Sequence, residues 1–374
     1  MAQQMTSDRA FSEEAVAELG GGPGVARPMT AAGTTVKGLF LLVVTCGVHV
    51  ACGTSGRGTR WGMSKLRFGL LGTGPWAPRA HGAALAASPH ATLEGVWGRD
   101  RAKADDLAGQ LGTRSYYDLD KLFSDVDAVA LALPPDVQAE LAVRAARAGC
   151  HLLLDKPMAL SVPAAEAVVR AVDDAGVASV VFFTNRFQPE VERWAEAAAE
   201  AGPWHSAHLV HYANIFQPGN PYGRSDWRQQ RGALWDIGPH GLATVLPVMG
   251  PVSSVAARRG RAGTDTVHMV LTHGPPGSPP SEPASASTLS LSLTMPPAAT
   301  GCQLVLYGEH GTRARPEGTL TGAEASQNAI AELAGLVSSG YRHHRCDVRF
   351  GLEVVRVLSA AEAAIDRAAT GVDD

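Results

Sequence analysis

A strand, a glycine-rich turn and a helix follow one another without interruption near residue 70, and this order restricts the folds open to the chain. Residues 66–71 (LRFGLL) have the apolar pattern of a buried strand, residues 72–77 (GTGPWA) form a turn, and residues 79–87 are an alanine-rich helix. A turn of this type opens a right-handed crossover in a parallel sheet. We therefore predict an α/β fold whose first part is a doubly wound parallel sheet.

The turn has the pattern G-x-G-x-x-A, which is typical of dinucleotide binding when it joins a strand to a helix. Gly72 permits the tight turn, Gly74 lets the backbone approach a diphosphate, and Ala77 keeps the helix close to the sheet. Pro75 and Trp76 lie between these positions and are expected to contact the same cofactor. The turn predicts a dinucleotide cofactor at the N-terminus of the following helix.

The end of the second predicted strand, residues 91–97, bears on the choice of cofactor. A site that prefers NAD has an acidic residue there for the ribose 2′-hydroxyl, whereas this chain has Gly98, Arg99 and Asp100. Glycine leaves room for a 2′-phosphate, and Arg99 can bind it through two hydrogen bonds. The alternative is a solvated turn in which Asp100 serves NAD. The pattern favours NADP and leaves NAD open.

A second informative segment is residues 152–157 (LLLDKP), where an apolar strand ends in a carboxylate, an ammonium group and a proline. Ligands of an open parallel sheet bind at the carboxyl ends of its strands, so Asp155 and Lys156 are expected at the cofactor site. Pro134, which follows the preceding predicted strand at residues 128–133, is expected there too. The alternative is a solvated ion pair that opens a turn. The peptide bond before Pro157 is a candidate cis bond.

With 374 residues, the chain is long enough for two domains with sizeable cores. It has 32 basic and 36 acidic residues, a formal net charge of −4 and no basic stripe, which argues against a nucleic-acid partner. Its five cysteines are far apart, so neither a disulfide framework nor a zinc site is expected, and a cytoplasmic location fits. His205, His208 and His211 recur at every third residue of a predicted strand and would alternate between its faces, so no metal site is expected.

Residues 1–62 differ from the rest of the chain, because they are rich in glycine, threonine and alanine. Their apolar run, residues 38–52, is too short for a comfortable membrane span, so no membrane partner is expected. The alternative is that this run belongs to a signal segment. Because Met63 immediately precedes the first predicted strand, our preferred hypothesis is that translation begins there and that the extension is not native. The predicted dinucleotide-binding domain spans residues 63–185.

Beyond residue 188 the pattern changes to long strands and isolated helices. The predicted helices span residues 190–201, 323–338 and 347–369, and the predicted strands span residues 204–215, 252–257, 267–272, 288–294 and 303–307. Residues 217–231 are polar, aromatic and rich in glycine and proline, which predicts a loop. These elements predict an α+β domain over residues 186–374 with a mostly antiparallel open sheet.

A polar segment, residues 236–240 (DIGPH), precedes an apolar helix at residues 242–249. Pro239 suits the first helical turn, so His240 lies where the helix dipole disfavours the imidazolium form. A neutral imidazole at this place can accept a proton, and Asp236 can orient the ring or form a hydrogen bond with a substrate. The alternative is a capping aspartate followed by a core histidine.

Four segments, taken in their order and spacing, resemble the Gfo/Idh/MocA family of NAD(P)-dependent oxidoreductases. They are the glycine turn at residues 72–77, residues 148–157 (AGCHLLLDKP), residues 185–189 (NRFQP) and residues 232–240 (GALWDIGPH). The resemblance extends over residues 66–371. It implies hydride transfer between the nicotinamide cofactor and a carbinol carbon of a sugar, cyclitol or related small molecule, by a protein that forms homo-oligomers.

The resemblance also implies roles for individual residues. Lys156 matches the lysine of the family's Glu-Lys-Pro motif, where its charge stabilises a developing alkoxide, and Asp155 is a conservative change. Asp236 and His240 match the family's aspartate and histidine, so His240 is expected to exchange the hydroxyl proton while Asp236 orients it and binds substrate. The residues that match the substrate cleft are Arg186, Trp227 and Arg228.

The sequence departs from the family's pattern at three places. Residues 133–138 (LPPDVQ) stand where Thr-Pro-Asn-x-x-His is frequent, Ala243 replaces a second carboxylate, and Gln188 replaces a histidine. These changes bear on the substrate more than on the reaction, since the three expected catalytic residues are present. The alternative function is a dinucleotide-binding regulator of the same fold without turnover.

Overall fold

The computed structural model describes residues 65–274 and 285–370. The extension predicted over residues 1–62, its apolar run and the proposed start at Met63 lie outside the described residues. Within the described part of the chain, no helix combines the length and the apolar character needed to cross a membrane.

The first half of the described chain is built on six parallel strands. They are β1 (Leu66–Leu71), β2 (Ala91–Trp97), β3 (Arg114–Tyr116), β4 (Ala128–Leu131), β5 (His151–Asp155) and β6 (Ser179–Phe182). Their order across the sheet is β3-β2-β1-β4-β5-β6, so the winding reverses between β1 and β4. The doubly wound parallel sheet is confirmed, and ligands of such sheets bind at this reversal.

Helices connect the consecutive strands of this sheet. They are a π-helical turn (Pro78–Gly82) continued by α1 (Ala83–Ala87), then α2 (Arg101–Gln110), α3 (Leu119–Asp125), α4 (Pro135–Arg147) and α5 (Val162–Ala175). Two residues define the ends of α5: Ser161 accepts a hydrogen bond from the Ala164 N–H at its start, and Gly176, with a φ of +64°, follows its last residue. Every residue of β4 and the three leucines of β5 are buried, which explains their unbroken apolar runs.

The second half of the described chain contains a separate six-stranded sheet. Its strands are β7 (Trp204–Tyr212), β8 (Val252–Arg259), β9 (Val267–His273), β10 (Ser285–Ser292), β11 (Gly301–Gly308) and β12 (Gly311–Ala314). Their order is β12-β11-β7-β10-β9-β8, and every neighbouring pair is antiparallel except β7 with β10. The predicted mostly antiparallel open sheet is confirmed, although β7 ends three residues earlier than the pattern indicated.

Five helices lie in the second half of the described chain. They are α6 (Pro189–Glu200), α7 (Asp226–Asp236), α8 (Gly238–Met249), α9 (Gly322–Ser339) and α10 (Val348–Thr370). The loop predicted over residues 217–231 is wrong in part, because it contains a 3₁₀ turn (Pro221–Arg224) and the start of α7. Asp226 complements the dipole of the first turn of α7, and Gly232, with a φ of +60°, kinks this helix rather than preventing it.

The last two helices join the two halves of the described chain. The helix α9 packs against the π-helical turn and α1, and α10 packs against both α5 and β8. The Val181 N–H of β6 donates to the carbonyl oxygen of Cys346 at 2.7 Å, so the outer edge of β6 is covered. A domain boundary between residues 185 and 186 stays a prediction.

Candidate active site

The glycine turn has the geometry that its sequence predicts. Gly72 has a φ of +118°, and a Cβ at this position would lie 2.2 Å from the carbonyl oxygen of Ala132. Only glycine fits this backbone conformation and this close approach. A Cβ on Gly74 would meet no atom within 4 Å, and Gly74 lines the large cavity that follows the turn.

This cavity has a volume of about 720 Å³ and lies where the ends of β4 and β5 face α7 and α8. It brings together the following predicted residues: Gly74, Pro75, Trp76, Pro134, Asp155, Lys156, Trp227, Arg228, Asp236 and His240. Tyr222 and Arg224, from the segment expected to be a loop, line it as well. Three further predicted residues do not line this cavity: Gly72, Arg99 and Arg186.

Asp236, the last residue of α7, is shared between two cations. Lys156 Nζ donates to its Oδ1 at 3.0 Å and to its carbonyl oxygen at 2.6 Å, and Arg228 Nε donates to its Oδ2 at 3.1 Å. The side chains of Lys156 and Asp236 are only 11% and 8% exposed. Burial by itself raises the pKa of Asp236, but the charges and hydrogen bonds of Lys156 and Arg228 outweigh it and lower this pKa. The carboxylate therefore stays ionised and holds the Lys156 ammonium group in place.

His240 lies in the first turn of α8 and lines the cavity, as predicted. Its pKa is well below the ordinary 6.5, first because burial penalises the charged form and then because Lys156 and other positive groups lie near it. Among the described residues, its ring nitrogens have no hydrogen-bond partner. Contrary to expectation, no hydrogen bond joins Asp236 to this ring, and the carboxylate oxygens of Asp236 accept from Lys156 and Arg228 instead.

His211 is a residue near the site that the sequence reasoning missed. Its ring centroid on β7 lies 6.3 Å from that of His240. Its Nδ1 is buried without a hydrogen-bond partner in the described part of the chain, and burial, followed by the charge of Lys156, lowers its pKa to about 4. The three-residue spacing of the histidines could have indicated this position, because residues three apart on a strand point to opposite faces. His208 lies on the exposed face, where it bonds to Thr288, and His211 lies on the opposite face.

Gln138, on α4, fastens the strand end that carries Lys156. Its Oε1 accepts from the Asp155 N–H at 2.9 Å, and its Nε2 donates to the carbonyl oxygens of Asp155 at 2.8 Å and Pro157 at 3.2 Å. The Lys156–Pro157 peptide between them is cis, as predicted. The sequence marks Gln138 only as a departure from the family pattern, whereas in the structure it holds the backbone on both sides of Lys156.

The segment after β2 exposes Arg99 and uses Asp100 to cap α2. Arg99 is exposed and has no ion-pair partner among the described residues. The Asp100 side chain accepts from the Lys103 N–H at 3.2 Å, which caps α2, and lies 3.6 Å from Lys103 Nζ. A Cβ on Gly98 would lie 2.7 Å from Thr73 Cγ2, so glycine allows the close contact with the glycine turn.

Arg186 has a different position from the one expected, and the assignment to substrate binding is corrected accordingly. The residue is 4% exposed, and its Nε and Nη2 donate to the Glu192 carboxylate at 2.7 and 2.9 Å. Its Nη1 donates to the carbonyl oxygen of Ala243 at 3.1 Å. The bidentate pair with Glu192 occupies the guanidinium group, so Arg186 joins α6 to α8 instead of facing the cavity.

The arrangement combines three chemical capacities in one cavity. Lys156 offers a positive charge, His240 offers a neutral imidazole, and the turn around Gly74 offers backbone that a diphosphate can approach. Such a site can bind a dinucleotide, stabilise negative charge on an oxygen atom and exchange the proton of that oxygen. Within the described residues, no group of three or more His, Cys, Asp or Glu side chains could hold a metal ion.

Comparison with known proteins points in the same direction. Residues 66–183 match a family model, GFO_IDH_MocA, described as an oxidoreductase family with an NAD-binding Rossmann fold. The D-xylose 1-dehydrogenase (NADP(+)) 2 of Haloferax volcanii is 31% identical over 200 residues, which cover 51% of this chain and 60% of that protein. The inositol 2-dehydrogenase of Rhizobium meliloti is 34% identical over 125 residues, 33% of this chain and 38% of that protein. The chain thus spans less than two thirds of these relatives.

A solved structure extends the similarity of fold over more of the chain. The crystal structure of GenD2 from gentamicin A biosynthesis, in complex with NAD, aligns with a TM-score of 0.70 and covers 86% of this chain and 98% of its own. The sequence identity in this alignment is 22%, so the similarity concerns the fold. Both sheets therefore belong to an architecture that is found in a dinucleotide-binding protein.

The two glycines of the turn are expected to respond differently to alanine. Gly72→Ala should lower the melting temperature of the protein without cofactor, because its Cβ would meet the Ala132 carbonyl and its φ would be strained. Gly74→Ala, the matched control, should leave that temperature nearly unchanged but weaken cofactor binding, because its Cβ enters open space in the cavity. Thermal melts with and without NADP measure both effects. Equal destabilisation of the cofactor-free variants would contradict this geometry.

The lowered pKa of His211 predicts a pH dependence of stability. Between pH 6.5 and about 4, the unfolded chain binds a proton on this residue that the native protein does not, so the free energy of unfolding falls as the pH falls through this range. His211→Asn should reduce the slope by up to about one proton. Urea unfolding at several pH values provides the slope. A slope unchanged by His211→Asn would refute the assignment.

Proposed function

We propose that the chain is an NAD(P)-dependent dehydrogenase or reductase of the Gfo/Idh/MocA family, whose model matches residues 66–183. The proposed reaction moves a hydride between the cofactor and a carbinol or carbonyl carbon of a sugar, cyclitol or related small molecule. The names of the xylose and inositol dehydrogenases support this class of substrate. The observation that carries the proposal is the convergence of Lys156, Asp236 and His240 on the cavity that the glycine turn borders.

The cavity residues fit a nicotinamide dinucleotide. The backbone of Gly74 faces open space just before the helix, where a diphosphate can approach. Pro134, Asp155 and Lys156 lie at the strand ends beside it, where the nicotinamide ring would be held. When bound, the nicotinamide supplies or accepts the hydride.

Lys156 acts on the oxygen of the reacting carbon. Its ammonium group is held by the Asp236 carboxylate and carbonyl oxygens, with a third donor direction left for a substrate oxygen. As the hydroxyl proton leaves during oxidation, negative charge develops on that oxygen, and the fixed positive charge of Lys156 stabilises it. Gln138 contributes by holding the backbone from which Lys156 extends.

His240 exchanges the proton of the same oxygen. The lowered pKa keeps its imidazole neutral near pH 7, so a nitrogen lone pair is available to accept the proton when a carbinol is oxidised. In the reverse direction the imidazolium form, which burial and then Lys156 disfavour, returns the proton readily. A regulator without turnover, the alternative, does not need an ionised carboxylate, a buried ammonium group and a neutral imidazole in one cavity.

We favour NADP as the cofactor. Arg99 is exposed and unpaired within the described residues, which suits a 2′-phosphate, while Asp100 is occupied with the cap of α2. One relative is named for NADP and one fold neighbour was crystallised with NAD, so relatives of both kinds exist. The exposed guanidinium group of Arg99, just after β2, supports the preference here.

Two further proposals concern the state of the protein. We propose a homo-oligomer, since the outer face of the second sheet exposes Val210, Val270 and Tyr307, at 37%, 46% and 41% of their surfaces. A cytoplasmic location also stays a prediction. Cys150, Cys302 and Cys346, the cysteines within the described residues, are free thiols, which suits a reducing compartment.

Removal of either proposed catalytic group is expected to abolish most turnover. Lys156→Ala and His240→Ala should each lower kcat about 10²- to 10³-fold, because the first removes the charge that stabilises the alkoxide and the second removes the proton acceptor. Cofactor binding should persist, and His310→Ala, at an exposed histidine between β11 and β12, should behave as wild type. Absorbance of the reduced nicotinamide with a panel of sugars and cyclitols measures kcat. Normal turnover in either variant would overturn its assigned role.

The cofactor preference is expected to depend on Arg99. NADP should raise the melting temperature of the wild-type protein more than NAD at equal concentration, because only NADP brings a 2′-phosphate to the guanidinium group. Arg99→Gln should remove this difference and leave the response to NAD unchanged, whereas Arg101→Gln, which removes the guanidinium group stacked on Tyr117, serves as the control. A larger shift with NAD in the wild-type protein would mean that the preference for NADP is mistaken.

A further inference from the structure

His81 is a buried histidine that the proposed mechanism does not use. It has no exposed surface and lies in the π-helical turn that follows the glycine turn. Its Nδ1 is 3.0 Å from the Oγ of Ser326, which is on α9 and is also fully buried. Its Nε2 is buried, has no hydrogen-bond partner in the described part of the chain and lies 3.6 Å from Asp155 Oδ2. One end of this ring is therefore aimed at a carboxylate of the candidate active site.

Asp155 is held on every side except the one that faces His81 and the cavity. Its Oδ1 accepts from the Lys156 backbone N–H at 2.9 Å, and its own N–H and carbonyl group are bonded to Gln138. The side chain is 15% exposed and lines the cavity. Its Oδ2 is consequently the atom that can turn either toward His81 or toward the bound ligands.

The two neighbours of His81 determine which ring nitrogen carries the proton. An ionised carboxylate only accepts hydrogen bonds, so the nitrogen that faces Asp155, Nε2, must be the donor. In the neutral ring Nδ1 is then an acceptor, and the hydroxyl group of Ser326 can donate to it. In this arrangement the Ser326 hydroxyl donates to Nδ1 of His81, and Nε2–H of His81 faces the acceptor oxygen of Asp155.

We propose that His81 is a positioning residue that keeps Asp155 turned away from Lys156, through a contact that shortens to a hydrogen bond when the cofactor is bound. Contacts of this kind are often long in unliganded sites and tighten in the complex. If Oδ2 turned into the cavity, Asp155 would become a second carboxylate for the Lys156 ammonium group, in competition with the reacting oxygen. With His81 in place, the charge of Lys156 stays directed at the substrate. The inference rests on the proposed function of Lys156.

Substitution of His81 by asparagine or by glutamine tests the roles of its two ring nitrogens separately. His81→Gln puts an amide group near the position of Nε2 and can still donate to Asp155, whereas His81→Asn puts it near Nδ1 and leaves Asp155 without a donor. With NADP bound, we expect kcat for a sugar or cyclitol that the wild type oxidises to fall about tenfold or more in His81→Asn. In His81→Gln it should stay within about threefold of wild type. Cofactor Kd and melting temperature should be similar in the two variants.

The proposal is overturned if the two variants have equal kcat, or if the loss in His81→Asn is matched by an equal loss of cofactor affinity. Nitrogen NMR of the histidine-labelled wild-type protein provides a test that needs no folded variant. The expected form of His81 is the Nε2–H tautomer, and an Nδ1–H tautomer would overturn the proposal.

The reactivity of Lys156 tests the same role without turnover. Acetic anhydride acylates only neutral amines, so a second carboxylate beside Lys156 slows its acetylation. Mass spectrometry should show slower acetylation of Lys156 in His81→Asn than in His81→Gln, with the exposed Lys103 as internal reference. Equal rates would overturn the positioning role. If this difference is present but no sugar or cyclitol is turned over by the wild type, the proposed reaction fails and the positioning role stands.

Discussion

The shared carboxylate of Asp236 is the interaction on which the rest of the site depends. Lys156 comes from the end of β5 in the parallel sheet, Arg228 comes from the first part of α7, and both are bonded to this one group. Because Lys156 and Asp236 are almost fully buried, removal of one charge would leave its partner uncompensated, at a cost on the order of 3–5 kcal/mol. The cluster orients Lys156 and at the same time joins the parallel sheet to the helices that cover the cavity.

The same cluster controls the protonation of its neighbours. Two cations around one carboxylate leave an excess of positive charge, which adds to burial in lowering the pKa values of His240 and His211. The site therefore disfavours any additional positive charge and favours negative charge on a bound oxygen atom. Oxidation of a carbinol produces that charge as the hydroxyl proton leaves, so the electrostatics of the cavity match the reaction that we propose.

The residues that could be predicted from the sequence are those whose place follows from local pattern. Lys156 ends a buried strand, and His240 opens an apolar helix, so short segments were enough to bring both to the site. Arg186 was assigned wrongly to substrate binding. Its ion pair with Glu192, on α6, does not follow from any local sequence pattern. His81 lies within the segment that follows the glycine turn, but its importance depends on contacts with Ser326, 245 residues away, and with Asp155. Such contacts leave no periodic trace.

The elements of the fold that could be predicted are likewise those with a clear local pattern. The long apolar strands and the helices at the end of the chain are confirmed, because their hydrophobic pattern extends over enough residues to be distinctive. β3 and β12, with three and four residues, are too short for such a pattern and were missed. α7 was partly taken for a loop because its glycine and aromatic content resembles one, although its first turn is helical.

A crystal structure of the protein with NADP tests the central claim most directly, since that claim concerns what the cavity holds. We expect the diphosphate at the backbone of Gly74 and the nicotinamide ring beside Asp155 and Lys156, with one face of the ring open toward His240. The 2′-phosphate should lie at Arg99. A nicotinamide ring outside this cavity, or one separated from Lys156 by other side chains, would contradict the assignment of Lys156, Asp236 and His240 to hydride transfer.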